Sequence, residues 1–217
     1  MSASAPADPV NLWSESAWAQ RYLRERAVLP HRAEADAALV ELLPPTPRRV
    51  LDLGTGDGYT LALVRAARPG VEGLGVDFSA EMLGLARESF AGDPDVLIVE
   101  HNLDELLPDL GRFDLVVSSF AIHHCVDERK RSLYGEVFDA LEPGGRFLNL
   151  EHVDSPTPEL HEAFLAAIGK TPAEDDPSNK LVAVETQLAW LRDIGFVDVD
   201  CHWKWRELAL LAGVKPG

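Results

Sequence analysis

RRVLDLGTGDGYT, residues 48–60, decides the fold. Residues 48–53 are an apolar run of strand character, and a glycine-rich turn follows at once. LALVRAARP then carries a helical pattern that stops near Pro69. Glycines 54, 56 and 58 let the chain turn sharply and approach a ligand closely. The helix start beyond them offers backbone N–H groups with no partner of their own. A tight turn without a ligand is the bland alternative. The strand before and the helix after are the context that a binding loop requires.

Working outward, strand-like and helical runs alternate. GLGVDF (73–78) reads as a second strand, and SAEMLGLARESF (79–90) as a helix with Ser79 as N-cap and Met82, Leu83 and Ala86 on one face. VLIVEH (96–101) and FDLVVSSF (113–120) read as strands three and four. DERKRSLYGEVFDAL (127–141) is an amphipathic helix stopped by Pro143-Gly144-Gly145, and RFLNLEHV (146–153) is a fifth strand. The near-continuous apolar character of strands one, three and four predicts a parallel sheet covered on both faces, hence an α/β fold.

Residues 154–180 break the rhythm with a short helix and an acidic, proline-containing loop. They read as an insertion. A helix over 183–194 follows, and VDVDCHWKW and ELALLAG predict two strands joined by a tight turn. Alternation puts Cys201, Trp203 and Trp205 on one face of the first of these. Before residue 48, a helix carrying Trp18, Tyr22 and Leu23 and a second from Pro30 to Leu43 are expected, after a disordered start to about Asn11. The predicted organisation is therefore a disordered start with cap helices over 1–47 and a single domain over 48–217.

The composition excludes some functions. Of 217 residues 46% are hydrophobic and 36 acidic residues face 20 basic ones, a formal charge of −16. Nucleic acid or an anionic membrane calls for a basic face, so neither is the expected partner. Cys125 and Cys201 make no disulfide framework. No run approaches a membrane span and the start is no secretory signal, so a cytoplasmic protein, monomer or homodimer, is expected.

The ligand of the glycine turn is read from its neighbours. Asp52 sits where it can face a cationic group, Asp77 ends the second strand where it can take both ribose hydroxyls, and His101-Asn102-Leu103 is a polar turn where an adenine edge would lie. DLGTGDG, GVDFS, the turn after VLIVEH, FDLVVSSFAIHH and LEPGGRF together resemble, in order and spacing, the class I S-adenosylmethionine (SAM) methyltransferases. The resemblance runs over about residues 48–153 and more weakly to 212. It implies a Rossmann-like, doubly wound, seven-stranded sheet whose last strand is antiparallel, with helices on both faces. It also implies SAM as cofactor. Gly54, Thr55, Gly56 and Gly58 would line its methionine and ribose portion, with Asp52 at the amino group. Asp77 would bind the ribose, Phe78 would pack beside the adenine, and Asn102 and the Leu103 N–H would meet the adenine edge. Asn102 stands where the family often has aspartate. Ser119 and Phe120 would border the methionine end.

Methyl transfer from a sulfonium asks the protein to align a nucleophile and exclude water, with a general base only when a proton must leave. The candidates are His123, His124, Glu151 and His152, with His123 and Glu151 preferred; each reads equally as a hydrogen-bonded structural residue. A metal held by this group is disfavoured because Glu151 and His152 should diverge on a strand. Trp18, Tyr22, His31 and Arg32, with His123, are the expected contacts of a small-molecule acceptor, attacked at oxygen or nitrogen. Arg32 or His31 would grip the SAM carboxylate or an acidic acceptor; a solvated helix face is the plainer reading of that stretch. The alternatives are an NAD(P)-dependent oxidoreductase using a similar turn, a non-catalytic SAM-binding protein, and a SAM-fold enzyme of non-methyl chemistry.

Overall fold

The computed structural model of the chain describes residues 29–217. The expected first helix, with Trp18 and Tyr22, and the disordered start lie outside them. The elements run α1 (Arg32–Leu42), β1 (Arg49–Leu53), α2 (Tyr59–Ala67), β2 (Glu72–Asp77), α3 (Ala80–Ser89), β3 (Val96–Glu100), β4 (Phe113–Ser119), α4 (Asp127–Ala140), β5 (Leu141–His152), α5 (Pro158–Ala167), α6 (Val184–Ile194), β6 (Val197–Trp205) and β7 (Leu208–Val214). The strands form one seven-stranded sheet in the order β3-β2-β1-β4-β5-β7-β6. β1 to β5 pair in parallel, and β7 runs antiparallel between β5 and β6. The doubly wound α/β architecture is the one expected.

Strand alternation divides the core into two layers. Leu51, Val116, Phe147 and Leu211 face α4 and α6, where Leu133, Val137, Leu188 and Leu191 are buried. Val50, Leu115, Leu148 and Leu210 face α1 and α2, meeting Leu39, Leu61 and Val64. The carboxyl ends of β1, β2, β4 and β5 thus share one edge, with the order reversing between β1 and β4. This is the crevice where open α/β sheets bind ligands.

Three local expectations are corrected, and a fourth is met in a different way. β3 is an edge strand with Leu97 57% exposed, because an apolar run does not distinguish edge from centre. β5 begins at Leu141, and Pro143-Gly144-Gly145 is an irregularity within it where the register on β4 shifts. Ser79 is the N-cap of α3 as expected, though its side chain makes no cap hydrogen bond and its backbone N–H donates to Asp77 Oδ1 (2.9 Å). A register shift between Cys201 and Trp203 breaks the alternation of β6, so Cys201 packs into the α4–α6 layer and Trp203 into the opposite one.

Two polar assemblies hold the site-bearing loops. Arg129 on α4 donates to the carbonyls of Leu103 and Glu105 (both 2.6 Å) and pairs with Glu136, fixing the loop after β3. Beneath the sheet, Tyr134 Oη donates to Gln187 Oε1 (2.6 Å) and accepts from Asn149 Nδ2 (3.1 Å), whose other contact is Glu151. Tyr134→Phe keeps the ring against Phe147 but strands buried polar partners. It should lower stability by about 1–3 kcal/mol in equilibrium urea denaturation; an unchanged midpoint would show that the network carries no stability.

Candidate active site

The glycine turn closes around three constraints. Gly54, Gly56 and Gly58 all take positive φ (67°, 57° and 85°). A Cβ on Gly54 would stand 2.2 Å from Ala121 Cβ, so the turn after β1 and the turn after β4 touch. Gly75 on β2 leaves the space that Thr55 fills, since a Cβ there would meet Thr55 Oγ1 at 2.8 Å.

Asp77 ties this turn to β2. Its Oδ2 accepts from the Gly56 N–H and its Oδ1 from the Ser79 N–H, both at 2.9 Å. Burial pushes its carboxyl above the ordinary range, against the pull of those N–H donors. Asp52 lies one layer behind. Its Oδ2 accepts from Thr55 Oγ1 (2.7 Å), while Oδ1 is buried with no hydrogen-bond partner among the described residues. Burial foremost, with the Asp77 charge adding, pushes Asp52 up to about 7.

A cavity opens in front of the turn. Of the residues expected at a cofactor, Gly54, Thr55, Gly56, Asp77, Phe78, Asn102, Leu103, Ser119 and Phe120 line it. Asp52 and Gly58 do not. Gly58 caps α2 in a left-handed conformation with its α-carbon against the Phe90 ring, a packing role. Asn102 Oδ1 accepts from the Asp104 N–H (3.0 Å), which fixes the amide on the cavity wall. Phe120 holds a left-handed φ of 52°, a strained state for an aromatic residue, and turns the chain at the end of β4.

The residues chosen for chemistry are distributed differently. A single 3-10 turn, Ile122–His124, follows β4. His124, not His123, lines the cavity, beside Cys125. His123 packs against the His124 ring (centroids 4.0 Å apart), and its Nδ1 meets Glu151 Oε1 at 2.6 Å. Burial holds both imidazoles well below the usual value. Burial also raises Glu151 to about 7. His152 turns away to Glu207 (2.9 Å). Among the described residues no group of three or more histidine, cysteine or acidic side chains is arranged to hold a metal.

His31 lies outside the cavity, bonded to Glu34 and packed on Trp205. Arg32 is buried: its Nε donates to Asp36 Oδ1 (2.8 Å), Tyr59 Oη donates to Asp36 Oδ2 (2.6 Å), and the guanidinium lies over the Tyr59 and Phe120 rings. Its Nη1 has no hydrogen-bond partner among the described residues, and Arg32 itself is not on the cavity wall, lying behind Tyr59 and Phe120, which are. Sequence reasoning missed Tyr59 and Met82 as lining residues. Tyr59 carried a signal, being the first residue past the glycine turn. Met82 did not, since its helical spacing reads as core.

The comparisons agree with this geometry. A family model described as a methyltransferase domain matches residues 50–145. The chain is 36% identical over 116 residues to a demethylmenaquinone methyltransferase of Thermus thermophilus, covering 52% of this chain and 51% of that one. It is 32% identical over 138 residues to a malonyl-[acyl-carrier protein] O-methyltransferase of Methylococcus capsulatus, covering 64% and 50%. The chain thus spans about half the length of these curated relatives. Among solved structures, an O-methyltransferase family protein from Burkholderia thailandensis shares the fold, with a TM-score of 0.72 at 22% identity over 94% of this chain and 62% of that one. Residues 50–145 thus match a methyltransferase domain, the fold is that of the class I SAM-dependent methyltransferases, and SAM is the cofactor these likenesses support. The oxidoreductase reading is set aside.

The residues present fit the cofactor. Ser119 Oγ, on the cavity wall, is buried with no hydrogen-bond partner among the described residues, and the cavity joins acidic, apolar and amide side chains of the kinds that an ammonium, a ribose and an adenine need.

Two outcomes follow. Gly54→Ala meets both a left-handed φ and the Ala121 contact, whereas Gly56→Ala has open space and only the conformational penalty of about 1–2 kcal/mol. Gly54→Ala should therefore be the more destabilised in thermal melts; equal losses would contradict the close approach. Because the folded pKa of Asp52 is raised, its ionisation opposes folding, and stability falls as pH rises from the ordinary carboxyl range through about 7. Asp52→Asn should flatten that part of the melting-temperature profile of the cofactor-free protein; a profile identical to wild type would show that Asp52 is not so perturbed.

Proposed function

We propose that the protein is a methyltransferase that moves a methyl group from SAM to an oxygen or nitrogen of a small molecule, in the cytoplasm. The observation that carries this reading is the junction of the cofactor cavity with a neutral histidine. His124 lines the cavity, and the His123–Glu151 pair stands behind it. The cofactor supplies an electrophilic methyl group. The protein's share is to orient the acceptor, exclude water and receive a proton when the nucleophile carries one. In this role His124 meets the acceptor, and His123, fixed by Glu151, positions it. Asp52, through the Thr55 hydroxyl, supports the cofactor ammonium, and Asp77 takes the ribose hydroxyls. The acidic chain supports a small acceptor over nucleic acid. Residues 48–217 are taken as a single domain, with 154–180 and the segment before residue 48 covering the acceptor side.

A second reading has its own support. Several relatives are named demethylmenaquinone methyltransferase or ubiquinone/menaquinone biosynthesis C-methyltransferase, which favours a ring-carbon acceptor. Removing a proton from a ring hydroxyl activates either the oxygen or an adjacent carbon, so both readings use the same histidine.

Radiolabelled SAM tested against phenols, amines and hydroquinones, with the product bond located by NMR, separates them. Transfer to none of the three classes, with cofactor bound, contradicts both. Rates should already be level with pH at neutrality, since burial holds His124 well below 6.5; an acid limb at the ordinary imidazole value would remove His124 as the base. The free Nη1 of Arg32 is assigned to a carboxylate, that of the cofactor or of an acidic acceptor. Arg32→Ala should weaken binding by about tenfold to a hundredfold, the loss of a charge-assisted hydrogen bond of about 1.5–3 kcal/mol; unchanged calorimetric affinities for cofactor and acceptor would refute it.

A further inference from the structure

Away from the cavity, a second buried carboxylate gathers polar side chains from three parts of the chain. Glu207, in the turn between β6 and β7, is fully buried. Its carboxylate accepts from Ser155 Oγ (2.5 Å), meets His152 Nε2 at the end of β5 (2.9 Å) and meets His161 Nδ1 on α5 (3.0 Å). The other ring nitrogen of His161, Nε2, lies 3.4 Å from Asp175 Oδ2. Ser155, His161 and Asp175 all belong to the 154–180 segment, whereas Glu207 and His152 belong to the sheet.

We propose that His161 is a proton-operated clasp that fastens the 154–180 segment over the carboxyl edge of the sheet. The geometry favours a charge. Both ring nitrogens face carboxylates, and only the imidazolium donates from both; a neutral ring turns one lone pair toward an anion. His161 and Asp175 are 30% and 31% exposed, so the proton exchanges with solvent while Glu207 stays dry.

The clasp reaches the cavity through the far end of the same segment. There the Lys180 N–H donates to the His123 carbonyl (3.0 Å), and Ser178 Oγ bonds His124 Nδ1 (3.1 Å). Phe164 and Leu165 remain buried against Leu208, so release loosens the segment and does not detach it.

The groups facing His161 are Glu207 from the strand turn and Asp175 from its own segment, with His152 and Ser155 on the other side of Glu207. Partial burial lowers the His161 value, and the hydrogen bond and charge of Glu207, then Asp175, overcome it and raise it. Burial raises Glu207, and donation from His152, Ser155 and His161 overcomes that and lowers it. The sign is therefore fixed at both ends. The His161 contribution is complete below its unfolded value of about 6.5 and is lost as pH rises through the raised folded value. The Glu207 contribution is lost in acid, as pH falls through its lowered value.

This inference does not depend on methyl transfer, and its test uses neither cofactor nor acceptor. Hydrogen–deuterium exchange of the full chain is followed from about pH 6 to about pH 9, the range in which a histidine partner titrates, and corrected for intrinsic rates against β4 amides. Wild-type amides of α5 should lose protection several-fold toward alkaline pH while β4 does not change. His161→Gln, neutral throughout, should show the loosened rate already at the acid end. Protection of α5 that is independent of pH in wild type overturns the clasp whether or not the variant folds. So does a folded His161→Gln protein that keeps the wild-type pH dependence.

Discussion

One carboxylate organises the cofactor edge. Asp77 sits at the end of β2, buried, with one oxygen on the Gly56 N–H and the other on the Ser79 N–H. It thereby locks the glycine turn of β1 to the start of α3 and lines the cavity with its remaining lone pairs, those proposed for ribose hydroxyls. The cavity exists because that lock holds the turn in left-handed geometry while Gly54 lets the β4 turn come into contact from the other side. Burying a charge between two backbone donors is unfavourable without them, which is why the turn, the strand end and the helix start act as one unit.

Behind this edge the molecule repeats the same device with histidines. Glu151 near the end of β5 and Glu207 just before β7, its neighbour, are both fully buried and bonded to imidazole nitrogens. The first pair backs the cavity through His123 and His124. The second holds the covering segment through His161. Acids buried beside neutral or protonated rings give this strongly acidic protein its polar interior, whereas most of its charge is spread over the surface.

Much of the fold was legible because period and punctuation agreed. The apolar run of β1 entering Gly54, the Asp77 strand end and the Pro143-Gly144-Gly145 break each carry a backbone requirement that only certain residues meet. Most of the residues expected at a cofactor line one cavity, since they sit at strand ends and their placement depends on backbone more than on side-chain choice; Asp52 and Gly58 stand outside it. The rest depended on three-dimensional events that leave no period. The 3-10 turn after β4 puts His124 and not His123 on the cavity wall. The irregularity at Cys201–Trp203 sends two residues expected on one face into opposite layers. Arg32 finds Asp36 four residues on, at helical spacing, and Tyr59 across the molecule. Glu207 gave no signal at all, because its partners lie some fifty residues away in sequence.

The central claim is that the cavity before the glycine turn holds the adenosyl sulfonium cofactor. The most direct measurement is a crystal structure of the protein with S-adenosylhomocysteine, the demethylated product. The account predicts the ligand in that cavity, its ribose on Asp77, its adenine beside Phe78 and the Asn102–Leu103 turn, and its sulfur directed toward Phe120 and His124. A ligand bound elsewhere, or adenine placed away from Asn102 with Asp77 untouched, would contradict it.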